Sequence, residues 1–270
     1  MEEDIIESRW TVGRLARTFI PVLLVTLVCR WLNQHFRSHF ALRLADPHKA
    51  WRAANLSVSL LHALISGCLV VAVFALDPQL IFDMDRKTAN GTKTLLLSLG
   101  YLIYDTLDLL QNEWTLRSME ILLHHAVGML GICCAVFGQR FVPYACFGLL
   151  MEVNSVTLHG RTLCLITAGG PKGSAASPPD SAVFRWLSLL NLLTLVPFRL
   201  LVNVHITLYA WTMSLEGVRP LYANVMKYGS IFLFVMNLTL LYRLLKADGY
   251  IGKRSASVRD TVPEEIMKDL

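Results

Sequence analysis

The chain has 270 residues, 54% of them hydrophobic and 17% charged, with a mean hydropathy of +0.48. Soluble domains carry nearer a quarter charged residues and disordered chains are far less apolar, so this composition excludes both, and collagen with them. The net charge of +5 comes from basic residues scattered among short loops. No basic stripe, RNA-binding signature or zinc-finger spacing occurs, so the expected counterpart is an anionic membrane face and not nucleic acid.

Crossing ~30 Å of hydrocarbon takes about 20 helical residues. In chain order, apolar runs of that kind fall at 18–32, 56–76, 94–111, 119–137, 141–158, 183–213 and 221–245. The expected fold is therefore all-α, a polytopic transmembrane helical bundle of about seven spans. The first run is preceded by acidic residues and followed by Trp31, where a signal peptide would need a small cleavage residue, so it is read as an uncleaved anchor. The sixth is long and contains Pro197 and Arg199, which fits a tilted, kinked helix. A Gly-, Ser- and Pro-rich connection at 168–180 reads as a flexible loop, and the charged tail from 253 as mobile. The six cysteines lie in or beside apolar runs without any CxxC pair and read as packing residues. Cys29, near a membrane boundary, is the one candidate for acylation.

Seven crossings place alternate loops on opposite sides. Leaving out Arg199 and Lys227 as intramembrane, eight Lys and Arg fall on one side and fifteen on the other. The richer side, with the 30–52 loop and the tail, should be cytoplasmic. The Asn90-Gly91-Thr92 sequon then lies outside, which makes Asn90 the glycosylation candidate. Asn55 and Asn237 also begin such triplets but sit at or inside spans.

Ionisable residues inside spans are the informative ones, because each costs at least ~2.5 kcal/mol at mid-bilayer unless paired or hydrated. At ~1.5 Å per residue, His62 lies about 9 Å in from the cytoplasmic end of its span, Asp105 and Asp108 about 8 and 3 Å, His124 and His125 about 8 Å, and Glu152 about 9 Å. Four successive helices thus carry His, Asp, His and Glu at nearly one depth. Tyr101, Asp105 and Asp108 share one helix face, Glu120 and His124 form an i, i+4 pair, and Glu152, Ser155 and His159 line the fifth span. A polar cavity open to the cytoplasmic leaflet would satisfy all three stripes. In it His124 or His125 could act as general base or nucleophile, with Asp105 or Glu152 fixing its tautomer.

Plainer roles compete for each residue. Adjacent histidines point ~100° apart, so one can face inward while the other bonds a neighbouring helix. His62 fits an interhelical hydrogen bond, Asp108 and His159 are shallow enough to be solvated, and Asn154, Ser155, Asn191 and Asn203 fit interhelical glue. His62, His124 and a carboxylate could bind zinc, yet neither HExxH nor HxxHH clusters are present, and neither metal nor cofactor is expected.

The run from Trp51 through Asn55, Ser59 and His62, then Gly100-Tyr101 with Asp105 and Asp108, then His124-His125, then Met151-Glu152-Val153-Asn154-Ser155 through His159 and Arg161, resembles the TLC domain family. That family takes in translocating-chain-associating proteins, longevity-assurance ceramide synthases and a ceroid-lipofuscinosis protein. The resemblance implies an N-terminal segment with the first anchor at 1–44, a TLC domain at 45–246 whose six helices form a barrel, and a tail at 247–270. The chain is most similar to the calfacilitin-type branch, plasma-membrane proteins that limit phospholipids with long polyunsaturated acyl chains. Likeness to ceramide synthases at His124-His125 implies an alternative, an acyltransferase with acyl-CoA as donor, in the endoplasmic reticulum. Those enzymes also carry paired aspartates on the next span, where this chain has Glu152, Asn154 and Ser155. A polar layer also leaves room for a channel or transporter. Membrane lipids are the partners expected in the first two readings, through a cavity formed by His62, Tyr101, Asp108, Asn154, Ser155, His159 and Arg199.

Overall fold

The computed structural model describes residues 12–168, 182–213 and 216–251; nearly all of the 168–180 loop and the whole tail from 253 lie outside the described residues. The chain is helical, with no strand among the described residues. Helices run over Val12–Ala41 (α1), Pro47–Leu76 (α2), Ala89–Asn112 (α3), Leu116–Gly138 (α4), Val142–Leu149 (α5), Met151–Ala168 (α6), Ala182–Thr212 (α7) and Pro220–Ala247 (α8). With α5 and α6 separated by a turn at Leu150, they make seven rods in the expected order. Five of these, α1 from Leu15, α2, α4, α7 and α8, are long and apolar enough to cross a bilayer. The other two, α3 and α5–α6, carry Asp105, Asp108, Glu152 and His159.

Local chemistry sets the helix starts. Asp46 caps α2 by accepting from the amides of His48 and Lys49, and Pro47 needs no such partner. Thr115 and Ser118 form a reciprocal capping box at the start of α4. The sixth span bends differently from the proline kink expected: Val196–Leu201 forms one wide turn that contains both Pro197 and Arg199. A second wide turn, Val225–Gly229, interrupts α8 around Lys227. Such turns shift the helix face and frequently mark functional positions.

Six rods close a ring in the order α2, α3, α4, α8, α7, α6 and back to α2. α1 stays outside it, packed along α2 and α3. Its approach to α3 is so close that a Cβ on Gly100 would lie 2.7 Å from the Val22 carbonyl oxygen. Thr26 Oγ1 donates to the Gly100 carbonyl at 2.9 Å across the same contact.

Ion pairs join the ends that the charge count puts on one side. Arg52 meets Glu113 at 3.2 Å, Arg243 meets Glu120 at 2.7 Å, and Arg161 meets Asp248. We call this the inner end. At the outer end Arg140 grips Asp85, which also accepts from the Phe141 amide. The turn there holds Gln139 and Phe141 at φ of 52° and 57°. It lets α5 enter the outer half of the ring, where it packs on α2, α3, α4 and α7. Phe74, Leu95, Ile132, Phe141, Phe147 and Met226 belong to one apolar cluster that fills this half. Lipid tails are as apolar as these side chains, so close packing and not expulsion from water must hold the plug together.

Candidate functional site

Beneath the apolar plug the ring interior becomes polar. The face of α3 bearing Tyr101, Asp105 and Asp108 turns toward α2 and α1. Asn55 donates to Asp105 Oδ1 at 2.6 Å and to Asp108 Oδ2 at 2.9 Å. Trp51 Nε1 adds a bond to Asp108 Oδ2 at 3.0 Å and Asn33 one to Asp108 Oδ1 at 2.9 Å. Asn112 donates to Asp108 as well. Asp108 is thus a buried junction of α1, α2 and α3 and not a solvated interfacial carboxylate. Satisfying its lone pairs with amides and an indole offsets the cost of removing it from water.

The Tyr101 hydroxyl donates to Ser59 Oγ at 2.9 Å. His62 stacks on the Tyr101 ring with centroids 3.8 Å apart, and its Nε2 lies 3.3 Å from Ser98 Oγ. Both residues sit in the wall between α2 and α3, which is the interhelical role considered for His62. Lys227 lies over the Trp211 ring, 5.3 Å from its centroid, a cation–π contact.

The two adjacent histidines part company. His125 is buried, with Nδ1 3.4 Å from Thr106 Oγ1 and Nε2 3.6 Å from Asp105 Oδ2, so both ring nitrogens face α3. His124 is half-buried, and no described residue hydrogen-bonds it. Glu120, its i, i+4 partner in sequence, is instead gripped by both terminal nitrogens of Arg243.

Across the ring, Arg199 donates to Asn154 Oδ1 at 2.7 Å, Ser155 Oγ at 2.8 Å and Asn237 Oδ1 at 3.2 Å. Three helices, α6, α7 and α8, meet on this one guanidinium. Asn154 also donates to the Asn191 side chain at 2.9 Å. Glu152 lies within electrostatic range of Arg199 and Asp105, and His159 within range of Arg199 and His125.

His124, Glu152, His159 and Arg199 are each only partly buried. They bring imidazole, carboxylate and guanidinium groups from α4, α6 and α7 to the inner half of the bundle, beneath the apolar cluster. No three His, Cys, Asp or Glu side chains among the described residues are grouped so as to hold a metal ion. Asn90, placed in a loop by the sequence, lies exposed in the first turn of α3.

Several residues central to this geometry escape a search for ionisable groups. Asn33, Ser98 and Thr106 carry no motif. Asn237 is visible in the sequence only as the first residue of an N-x-S/T triplet; its depth within the span is the available clue.

The fold defines a class: a multi-pass membrane protein built as a ring of helices with a polar inner half. A model of the TLC domain matches residues 52–246, and the chain belongs to the TLC domain family. It is 31% identical over 218 residues to TLC domain-containing protein 2 of Danio rerio, covering 80% of this chain and 84% of that protein. It is 30% identical over 229 residues to TLC domain-containing protein 1 of Gallus gallus, covering 83% and 84% respectively.

Proposed function

We propose that this protein regulates the phospholipid composition and fluidity of its membrane, limiting phospholipids with long polyunsaturated acyl chains, and that it works in the plasma membrane. The observation that carries this reading is the division of the bundle interior into an apolar outer half and a polar inner half. An acyl chain suits the inner surface of the apolar cluster, while an ester or headgroup suits Arg199, Glu152, His159 and His124. Membrane lipids are accordingly its proposed ligands. The endoplasmic reticulum is the alternative address.

A second reading, acyl transfer from acyl-CoA, is favoured by the approach of His125 to Asp105. A carboxylate beside an imidazole stabilises the imidazolium formed when the ring accepts a proton from an amine or hydroxyl. Lipidomic profiling of cells lacking the protein, rescued with wild type, His124→Ala or His125→Ala, tests both. Polyunsaturated phospholipids should rise on loss and return with wild type. An unchanged profile on loss would remove the composition reading. Full rescue by both variants at normal abundance would remove the catalytic one.

A further inference from the structure

At the inner rim of the barrel, among the described residues, Arg52, Arg117 and Arg243 lie beside Glu113 and Glu120. Arg52 takes Glu113 and Arg243 takes Glu120 through two nitrogens. Arg117 lies within range of all four groups but pairs with none of them. Glu120, three residues on, is the neighbour a helical Arg117 would ordinarily claim. With that carboxylate committed to α8, Nη1 of Arg117 is buried without a partner. Its Nε and Nη2 are also without a hydrogen-bond partner but keep accessible surface. Those two nitrogens form the edge of a guanidinium that grips oxyanions in a bidentate fork. Arg117 also occupies the first turn of α4, where the helix dipole disfavours a cation unless an anion is near.

α4 packs on α8 through the wide turn Val225–Gly229, and the seam between the two helices runs from there to their inner ends. The Glu120–Arg243 pair, with each side chain about one-third exposed at 34% and 36%, bridges the seam at its inner end.

We propose that Arg117, flanked by Arg243, is a phosphate-binding site that seats the headgroup of an inner-leaflet phospholipid at the α4–α8 seam. This deepens the phospholipid reading above and rests on it. A phosphodiester supplies the missing counter-charge in a planar, bidentate geometry, and the seam faces the leaflet from which such a group would come.

The test uses the purified full-length chain and three probes: dihexanoylphosphatidylcholine, the diacylglycerol with the same chains, and inorganic phosphate. Wild type should bind the phospholipid, and Arg117→Gln should weaken that binding about tenfold. Arg117→Lys should recover part of it, and Arg37→Gln, on the exposed surface of α1, should leave it unchanged. Melting temperature and gel-filtration profile, matched to wild type, separate loss of the site from loss of fold. Equal phospholipid binding by wild type and a folded Arg117→Gln would overturn the site. Arg117-dependent binding of inorganic phosphate without phospholipid binding would overturn its assignment to lipid, as would equal binding of the diacylglycerol. Because this assay reads binding and not acyl composition, its failure is distinct from an unchanged lipid profile in cells, which would remove the composition reading instead.

Discussion

Replacing Asp105 by Asn separates what the carboxylate does for His125 from what it does for the fold. Oδ1 accepts from Asn55 at 2.6 Å, and Oδ2 faces His125 Nε2 at 3.6 Å. A carboxylate only accepts, so it favours the proton on Nε2 and leaves Nδ1 as acceptor for Thr106. An Asn at this position can keep its oxygen on Asn55 and turn its amide nitrogen to Nε2. The ring must then carry its proton on Nδ1 and donate to Thr106. Since each contact survives with its roles reversed, Asp105→Asn should cost only about 1 kcal/mol. Asp105→Ala instead leaves one N–H of Asn55 buried without an acceptor, at about 2 to 3 kcal/mol. If both groups were charged, their attraction at 3.6 Å would be about 5 kcal/mol for an effective dielectric constant of ~20. Nitrogen-15 spectra of histidine-labelled protein in bilayers, with the His125 signals assigned by their loss in His125→Gln, read the tautomer directly. Denaturant titrations give the stabilities. An unchanged Nε2-protonated ring in Asp105→Asn, or equal destabilisation by Asn and Ala, would refute this account of the pair.

Other expectations follow from the same contacts. Gly100→Ala places a methyl 2.7 Å from the Val22 carbonyl and 2.8 Å from the Val25 side chain; unfolding titrations should show a loss of about 1 to 3 kcal/mol. Gly148→Ala, whose added methyl meets nothing within 4 Å, is the control and should be neutral. Asp108→Ala removes the acceptor shared by Asn33, Trp51, Asn55 and Asn112, and the same titration should show a loss of about 3 kcal/mol or more. Asn90→Gln should abolish a glycosidase-sensitive mass shift in protein from mammalian cells, while a C-terminal tag should be digested by protease from the cytoplasmic side.

Helix number and order are legible in the sequence because membrane spans are long and each is apolar over most of its length. The polar layer is legible for the same reason, since every ionisable group within a span stands out against its background. Pairing is harder to read. Asp108 lies one turn from the interface, and its burial depends on Asn33 and Trp51 arriving from two other helices, 75 and 57 residues away in sequence. The i, i+4 spacing of Glu120 and His124 suggests a local pair, but Arg243, 123 residues away, takes the carboxylate. Arg199 is recognisable as costly, and Asn154 and Ser155 as interhelical polar groups, but their pairing with Arg199, and that of Asn237, is not, because rotation about the helix is unknown beforehand. The wide turns around Arg199 and Lys227 have no sequence signature beyond Pro197.

Together these features place a hydrogen-bonding interior under an apolar cap, in a protein of the TLC domain family. Cysteine accessibility tests that arrangement most directly. On a background with the six native cysteines replaced, single cysteines are introduced at His124, Glu152, Leu95 and Ile132, and a charged, membrane-impermeant thiol reagent is applied from the inner side. The account predicts rapid modification at 124 and 152, slowed by dihexanoylphosphatidylcholine, and none at 95 or 132, where Leu95 and Ile132 pack in the plug. Silence at 124 and 152, or equal modification at all four positions, would contradict it.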